Sequence, residues 1–336
     1  MPALAVADAL RASGHHVAFA GGDRAEARLV PAAGYALHPL RVEGLSRSNP
    51  LKAARGVARA AGALAAARRI IRAERPDVVL GGGGYVAGPV GAAALARGLP
   101  LVLTEADSHL GLTNRLLARR ARRVCLAFPI AGRDGDLYRV TGRPVPPVTT
   151  DRATTRARFG LGERDTCVLI FGGSLGARSI NEAAITAFAG ARPGLRILHA
   201  AGERDFAALL DRVPGAHYEL RAYIDDFGDA LAASDLVVAR SGGSVFEIAA
   251  HGRPAILVPY PHAAADHQTG NAQWMVDAGA AILVKDAEVT AQRLGAEVQA
   301  LLDDPARLAR MAGASAALAR PQAAAEIAAE VLAAAR

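Results

Sequence analysis

The sequence predicts an α/β protein with two domains, each built on a largely parallel sheet. Its 336 residues are enough for two cores of ordinary size. Short apolar runs of strand length alternate with longer runs of helical period, and glycine-rich turns follow several of the strands. This alternation is typical of βαβ units, whose crossovers place helices on the faces of a parallel sheet.

The first half opens with a helix over 2–13, which Gly14 ends, and a strand over 16–20 follows. A doubly wound domain usually begins with a strand and a glycine loop, so we expect the element that normally comes first to be missing. Further strands are predicted over 36–42, 77–80, 101–103, 124–128 and 137–140. Helices are predicted over 50–74, 90–97 and 112–121.

Three prolines between 141 and 148 can continue neither a helix nor a strand, so this segment is the predicted linker. The pattern then restarts, with strands predicted over 167–171, 196–200, 218–220, 235–239, 254–259 and 280–284. Helices are predicted over 152–158, 204–210, 227–233, 291–302, 306–318 and 322–334, with others ending at 189 and beginning near 244 and 267. We expect domains over 1–147 and 148–320, with a helix in 321–336 packing back on the first domain.

Composition excludes some function classes. No apolar run approaches the roughly 18–20 residues that a membrane span needs, and the N-terminus lacks the basic start of a signal peptide. Cys125 and Cys167 lie in separate apolar runs, which suits reduced core thiols in a cytosolic protein. Neither cysteines nor histidines have metal-ligand spacing, so no metal and no cofactor are expected.

The positive charge is concentrated in the first half. Residues 1–148 carry a net charge of +11 and the remainder carries −4. Aromatic residues make up only 4% and no nucleic-acid-binding motif is present, so an anionic membrane surface or a lipid phosphate is a better partner than nucleic acid. The run Arg119–Arg123 is a candidate part of that surface, although a solvated helix end would have the same composition.

Two glycine turns in the second half predict an anion site. Gly172-Gly-Ser-Leu-Gly176 and Arg240-Ser-Gly-Gly243 each follow a strand and open a helix, where free N–H groups and the helix dipole favour a diphosphate. The first turn lacks the Gly-Lys-Ser/Thr of a P-loop. A tight turn without a ligand explains either one alone, but two at neighbouring strand ends favour one binding site.

Polar residues follow these turns. Glu247 is placed to accept bonds from ribose hydroxyls, and Gln268 and Asn271 share a helix face suited to sugar hydroxyls, with Asp266 as the expected N-cap. A carboxylate in the first helical turn and a capped, solvent-facing turn are the alternative interpretations. In the first half, Gly82, Gly84 and Glu105 give only a weak match to a dinucleotide-binding pattern, so a dehydrogenase ranks last.

Several motifs together resemble those of the MurG family, which transfers N-acetylglucosamine to lipid I at the membrane in peptidoglycan synthesis. They are Gly83-Gly-Tyr-Val-Ala-Gly-Pro89, Gly111-Leu-Thr-Asn114, Gly172-Gly-Ser-Leu-Gly-Ala-Arg178, Tyr223-Ile-Asp-Asp226, Arg240-Ser-Gly-Gly243 and Asp266-His-Gln-x-x-Asn271. The resemblance covers nearly the whole chain in order. It implies the GT-B fold, two Rossmann-like domains with the active site in the cleft between them, and peripheral attachment to the inner face of the cell membrane.

The resemblance also implies roles for residues. The second domain would bind UDP-N-acetylglucosamine and the first a lipid-linked acceptor, whose hydroxyl attacks the anomeric carbon with inversion while helix dipoles stabilise the departing UDP. The implied substrate-binding residues are Gly173, Ser174, the backbone of Ile224, Arg240, Ser244, Val245, Phe246, Glu247, His267, Gln268, Asn271, Tyr85 and Asp107. Glu105 is the best surviving carboxylate for a catalytic base.

The departures from the family pattern concern the first half. The family's N-terminal Gly-Gly-Thr-Gly-Gly-His loop is absent, and its His-Glu-Gln-Asn is Thr104-Glu-Ala-Asp107 here. We expect either a start upstream of Met1 or the loss of a catalytic element. A transferase with another acceptor, a UDP-sugar epimerase and a non-catalytic UDP-sugar-binding protein are therefore the alternatives.

Overall fold

The computed structural model describes residues 2–40, 50–173, 175–190 and 192–336, with the side chains of all of these except 50–60 and 85. Contacts divide the chain into two compact units, Met1–Pro144 with Pro321–Arg336, and Val145–Arg320. Each contains parallel strands and helices, which confirms the predicted α/β class.

The first unit contains two groups of strands. Its helices are α1 (Pro2–Ala12), α2 (Ala25–Ala32), α3 (Pro50–Glu74), α4 (Gly84–Ala96) and α5 (Leu112–Leu117), the last followed by a 3-10 turn, Ala118–Arg120. Its strands are β1 (Ala18–Gly21), β2 (Ala36–Pro39), β3 (Val79–Gly81), β4 (Leu101–Glu105), β5 (Arg123–Leu126) and β6 (Tyr138–Val140). Within the described ranges β1 pairs only with β2, and a separate parallel sheet has the order β3-β4-β5-β6.

Several strand and helix ends of the first unit differ from the prediction by a few residues, and two helices differ by more. Helix α2 was not predicted, since Pro31 lies inside it and obscures its period. Helix α4 begins at Gly84 and not at 90, and it includes Pro89. Gly83 and Gly84 both have left-handed φ values (77° and 72°), so the chain turns from strand to helix within two residues and the helix is already formed before the proline.

The second unit is one six-stranded parallel sheet between helices. Its helices are α6 (Arg152–Arg158), α7 (Arg178–Ala187), α8 (Glu203–Leu209), α9 (Phe227–Ala233), α10 (Val245–Ala250), α11 (His267–Asp277), α12 (Ala291–Leu302) and α13 (Pro305–Ala317). Its strands are β7 (Thr166–Phe171), β8 (Leu195–Ala200), β9 (Tyr218–Arg221), β10 (Leu236–Ala239), β11 (Ala255–Leu257) and β12 (Ala281–Leu283). The order β12-β11-β10-β7-β8-β9 changes direction between β7 and β10, which makes this pair the topological switch point.

Burial explains the apolar runs of the sequence. Strands β10 and β11 are buried at every residue, as expected for a parallel sheet covered on both faces. Cys125 and Cys167 are buried free thiols, and burial raises the pKa of each to about 12. Among the described residues, no helix combines the length and apolar character needed to cross a bilayer.

The last helix, α14 (Ala323–Ala335), belongs to the first unit. Ile327 and Val331 are 2% and 3% exposed and pack in a cluster with Val6 and Val102. Glu330 accepts a hydrogen bond from Arg123 Nε at 2.6 Å. The C-terminal residues therefore complete the core of a unit that is otherwise built from the start of the chain.

We expect Ile327→Ala to lower the free energy of unfolding by about 2–4 kcal/mol, because it leaves a cavity under the first-unit sheet. Urea unfolding measures the change. Leu210→Ala, at a leucine that is 48% exposed in the second unit, is the matched control and should stay within about 0.5 kcal/mol of the wild type. Equal effects of the two substitutions would contradict the buried position of α14.

Candidate active site

Two glycine turns lie side by side at the carboxyl edge of the second-unit sheet. Phe171, the last residue of β7, pairs with Ala239, the last residue of β10. The turn of 172–176 follows the first strand and the turn of 240–244 follows the second. The expected placement at neighbouring strand ends is therefore what the structure has, and it lies at the switch point where open α/β sheets bind ligands.

The first turn depends on the absence of side chains. Gly173 and Gly176 have φ values of +90° and +76°, and the Gly176 N–H donates to the Gly173 carbonyl at 2.9 Å. A Cβ added to Gly172 would lie 2.3 Å from the Ala177 nitrogen, whereas one added to Gly173 would meet open space. No described side chain caps α7, a ten-residue helix, so its first-turn N–H groups lie behind this turn. Ser174 lies outside the described residues.

The second turn opens the shorter helix α10. Ser244 occupies its N-cap position, and Ser244 and Glu247 are half-buried. Val245 and Phe246 are 0% and 4% exposed, and the Phe246 ring packs 5.1 Å from Trp274. Both were expected to bind substrate, but their side chains belong to the core. Only their backbones lie near the edge.

Arg240 connects the second turn to the start of α7 and to the segment after β11. Its guanidinium pairs with Asp286 at 2.6 Å and donates to the Ser179 hydroxyl at 3.0 Å. It also donates to the Val258 and Pro259 carbonyls at 3.2 and 3.1 Å. The residue was expected to contact substrate. In the structure its donors serve partners in its own chain, which ties the start of α7 to the segment after β11.

Helix α11 brings three predicted residues to the same edge in different ways. His267 donates from Nδ1 to the Ala264 carbonyl at 2.8 Å, and Gln268 Oε1 accepts from the Tyr260 N–H at 3.0 Å. Both side chains are half-buried. Asn271 is fully buried, and its Nδ2 donates to the Ser241 carbonyl at 3.1 Å. Asn271 therefore anchors α11 to the second glycine turn. Of the two amides that were expected to face sugar hydroxyls, only that of Gln268 is not fully buried.

Asp266 was expected to cap α11 and does not do so. It occupies the N-cap position with a left-handed φ of 54°, and its carboxylate accepts from the Thr269 hydroxyl at 2.7 Å instead of from a backbone N–H. In a typical N-cap the residue has extended dihedrals, which aim its side chain at the first helical turn. The left-handed backbone removes that geometry here.

Exposed apolar residues at this edge were missed by the sequence analysis. Leu175 and Tyr223 are 73% and 55% exposed. Their loops both reach Gly202, since a Cβ added there would lie 2.6 Å from the Leu175 carbonyl carbon and its N–H donates to the Ala222 carbonyl at 3.0 Å. Ile224, whose backbone was expected to bind the uracil of the donor, has a buried side chain directly after Tyr223. Sequence alone gives no signal for apolar exposure at such loops.

In the first unit Glu105 is a tightly held carboxylate, 8% exposed. Its Oε1 accepts from the N–H groups of Ala106 at 2.9 Å and Asp107 at 3.3 Å. Its Oε2 accepts from the Gly111 N–H at 2.8 Å and from Asn114 Nδ2 at 2.9 Å. A carboxylate has about four acceptor positions, and these four donors occupy them. The geometry therefore disfavours Glu105 as a base and makes it the anchor of the 106–111 loop.

The other first-unit candidates surround this anchor. Asp107 lies in the anchored loop, and Tyr85 is the second residue of α4, with a side chain outside the described set. Asn114 Nδ2 also donates to the Thr104 carbonyl at 2.9 Å, while its buried Oδ1 has no donor among the described residues. Within that same set no three His, Cys, Asp or Glu side chains are grouped to hold a metal.

Comparison with family models gives two matches along the chain. Residues 1–126 match the glycosyltransferase family 28 N-terminal domain, and residues 167–327 match the glycosyltransferase family 28 C-terminal domain. Both glycine turns of the second unit lie inside the second match.

Individual relatives extend the likeness. The UDP-N-acetylglucosamine–N-acetylmuramyl-(pentapeptide) pyrophosphoryl-undecaprenol N-acetylglucosamine transferase of Halorhodospira halophila is 41% identical over 96% of this chain and 91% of its own length. The crystal structure of Acinetobacter baumannii MurG has a TM-score of 0.80 and 29% identity, covering 99% of this chain and 95% of that one. A UDP-GlcNAc 2-epimerase from Neisseria meningitidis shares the fold, with a TM-score of 0.69 and 14% identity over 99% and 96% of the two chains.

We expect Glu105→Gln to lower the free energy of unfolding by about 1–3 kcal/mol, because an amide NH2 would face backbone N–H donors. Urea unfolding measures the change, and Glu163→Gln at an exposed position is the control, expected within about 0.5 kcal/mol of the wild type. If Glu105→Gln keeps wild-type stability and loses only turnover, the base role is restored.

Proposed function

This chain belongs to glycosyltransferase family 28 and, within it, to the MurG family, and we propose that it transfers N-acetylglucosamine from UDP-N-acetylglucosamine to a lipid-linked N-acetylmuramoyl-pentapeptide acceptor. The motif resemblance and the GT-B fold class are thereby confirmed. The observation that carries the activity is the pair of glycine turns on paired strands, in the segment that matches the family's C-terminal domain.

The proposed donor site is the edge formed by the two turns and the start of α11. The N–H groups of α7 behind the first turn would hold the diphosphate, and Ser174 would lie near it. Half-buried Ser244, Glu247, His267 and Gln268 would face the ribose and the sugar. The backbones of Ile224, Val245 and Phe246 would complete the site. Arg240 and Asn271 would hold these parts in place through the bonds described above.

The proposed chemistry is inverting displacement. An acceptor hydroxyl attacks the anomeric carbon and gives up its proton to solvent, the bond from that carbon to the UDP oxygen breaks, and negative charge develops on the leaving diphosphate. Preorganised N–H groups and a helix N-terminus stabilise that charge where it forms. Glu105 acts by positioning, since it fixes the loop that carries Asp107. Asp107 and Tyr85 are the proposed acceptor-side residues.

We also propose that the chain works at the inner face of the cell membrane, bound through α5. Leu112 and Leu116 are one helical turn apart and are 52% and 67% exposed. Arg115, Arg119 and Arg120 are exposed beside them, and residues 108–123 contain no acidic side chain. Apolar residues that enter the acyl boundary and flanking cations that meet anionic headgroups are the two requirements for interfacial binding.

Incubation of the full chain with labelled UDP-N-acetylglucosamine and lipid I tests the activity. The expected products are UDP and a glycosylated lipid. An epimerised UDP-sugar would favour the epimerase alternative, and UDP binding without any product would favour the non-catalytic one.

We expect Gly176→Ala to abolish UDP binding in calorimetry, because the added methyl group would lie 2.0 Å from the Ala201 carbonyl oxygen and displace the turn. Gly190→Ala is the matched control, since a Cβ there meets open space. Its UDP affinity should equal that of the wild type. Retention of UDP affinity in Gly176→Ala would remove the first turn from the site.

We expect the double substitution Leu112→Ser, Leu116→Ser to lower binding to phosphatidylglycerol vesicles on the order of tenfold or more, from the loss of buried apolar area. Cosedimentation measures the binding, with neutral phosphatidylcholine vesicles as the lipid control. Leu210→Ser, at another exposed leucine, should bind as the wild type does. Unchanged binding of the double variant would contradict the assignment to α5.

A further inference from the structure

Three buried polar side chains, joined by hydrogen bonds, lie beneath the first glycine turn. Asn181 of α7, His199 of β8 and Tyr218 of β9 are 0%, 0% and 3% exposed. His199 Nδ1 lies 2.7 Å from the Tyr218 hydroxyl, and His199 Nε2 lies 3.0 Å from Asn181 Oδ1. The mechanism above uses none of these groups, although burying three polar side chains together is costly unless every bond is made.

Chemistry fixes the direction of each bond. Asn181 Nδ2 donates to the Ala201 carbonyl at 2.9 Å and to Asp205 Oδ2 at 3.2 Å, and both partners can only accept. Asn181 Oδ1 is therefore an acceptor, so His199 Nε2 carries the proton. The neutral ring then accepts at Nδ1 from the Tyr218 hydroxyl. Burial lowers the pKa of His199 to about 4, which is consistent with a neutral ring.

At its Asn181 end, this series of hydrogen bonds reaches two groups that support the glycine turn, the Ala201 carbonyl and the Asp205 carboxylate. The Ala201 carbonyl lies directly against Gly176, where a Cβ would approach within 2.0 Å. Gly202, the next residue, also packs closely against Gly176, since a Cβ added to Gly202 would lie 2.3 Å from the Gly176 nitrogen. The Asp205 carboxylate pairs with Arg178, the first residue of α7, at 3.6 Å. Asn181 thus holds both the peptide under the turn and the carboxylate beside the helix start.

We propose that Tyr218, His199 and Asn181 form a positioning relay, a series of hydrogen bonds that fixes the glycine turn in its position relative to the N-terminus of α7. The relay thereby determines the affinity for the donor diphosphate. The inference rests on the proposed function and adds to it three residues outside the site. They act through the Ala201 peptide and Asp205. They do not touch the donor, because none of the three reaches the surface.

Loss of the relay and loss of ordinary core packing have different expected effects on donor affinity. Tyr218→Phe keeps the ring and its edge contact with His199 and removes only the hydroxyl group that donates a hydrogen bond to His199 Nδ1. The imidazole then lacks its Nδ1 partner and can shift away from Asn181. A structural role alone predicts lower stability with unchanged donor affinity, whereas a positioning role predicts weaker donor binding with chemistry little changed.

The test measures UDP affinity by calorimetry, KM and kcat for the donor, and the melting temperature of the full chain. Tyr218→Phe is expected to raise Kd for UDP and KM for the donor about 3–10-fold with kcat within about twofold, the loss expected for one hydrogen bond. Asn181→Leu, which removes both Nδ2 bonds, is expected to weaken UDP binding further. Leu195→Ala, in the same strand as His199 but at its other end, is the matched control for lost core packing.

The inference is overturned if Tyr218→Phe, or Asn181→Leu where it folds, binds UDP as tightly as the wild type while its melting temperature falls as that of Leu195→Ala does. It is also overturned if Leu195→Ala raises KM as much as Tyr218→Phe does. Failure of the wild type to bind UDP is a distinct result, since it removes the proposed function and the relay with it.

Discussion

The close packing of two backbone segments, at Gly176 and at Ala201–Gly202, is the constraint on which the proposed donor site of the second unit depends. Peptide groups can approach this closely only where neither segment carries a side chain in the way, which is why glycine occupies both 176 and 202. This contact places the turn after β7 against the segment that follows β8. The amino end of α7 then lies behind a turn in which residue 173 is a glycine with open space around it. The proposed anion site is therefore a result of backbone geometry more than of charged side chains.

Around that contact, two polar residues of the proposed site, Arg240 and Asn271, connect its parts to one another. Arg240 joins the start of α7 to the segment after β11, and Asn271 fastens α11 to the second turn. Glu105 has a similar structural role in the first unit, where its carboxylate accepts hydrogen bonds from three backbone N–H groups and from the Asn114 amide and so fixes one loop. Residues that a motif marks as functional can therefore contribute through rigidity, because a leaving diphosphate is stabilised best by donors that need no rearrangement.

The sequence predicted the elements well where periodicity was strong, as in α3, α6, α9 and α12, whose bounds agree with the structure. It failed for α2, because Pro31 lies inside that helix and obscures its period. It also placed the start of α4 too late, because Pro89 suggested a boundary, whereas the left-handed Gly83 and Gly84 allow the helix to begin before the proline. For the site, the spacing of glycines predicted the paired turns. It could not predict that Val245, Phe246 and Asn271 face inward, since which side of a helix is buried depends on the neighbours that pack against it. The bonds of Asp266 and the partners of Glu105 likewise depend on contacts that spacing does not encode.

The position of α14 has a consequence for how the molecule is made. Residues 145–320 hold all the strands and helices of the second unit, whereas the first unit needs residues from near both ends of the chain. On a ribosome the second unit can fold as soon as it has emerged, while the apolar surface around Val6 and Val102 stays uncovered until the last helix is synthesised. The unit that is translated first is thus the one that is finished last, and chaperones have a longer period in which to bind it.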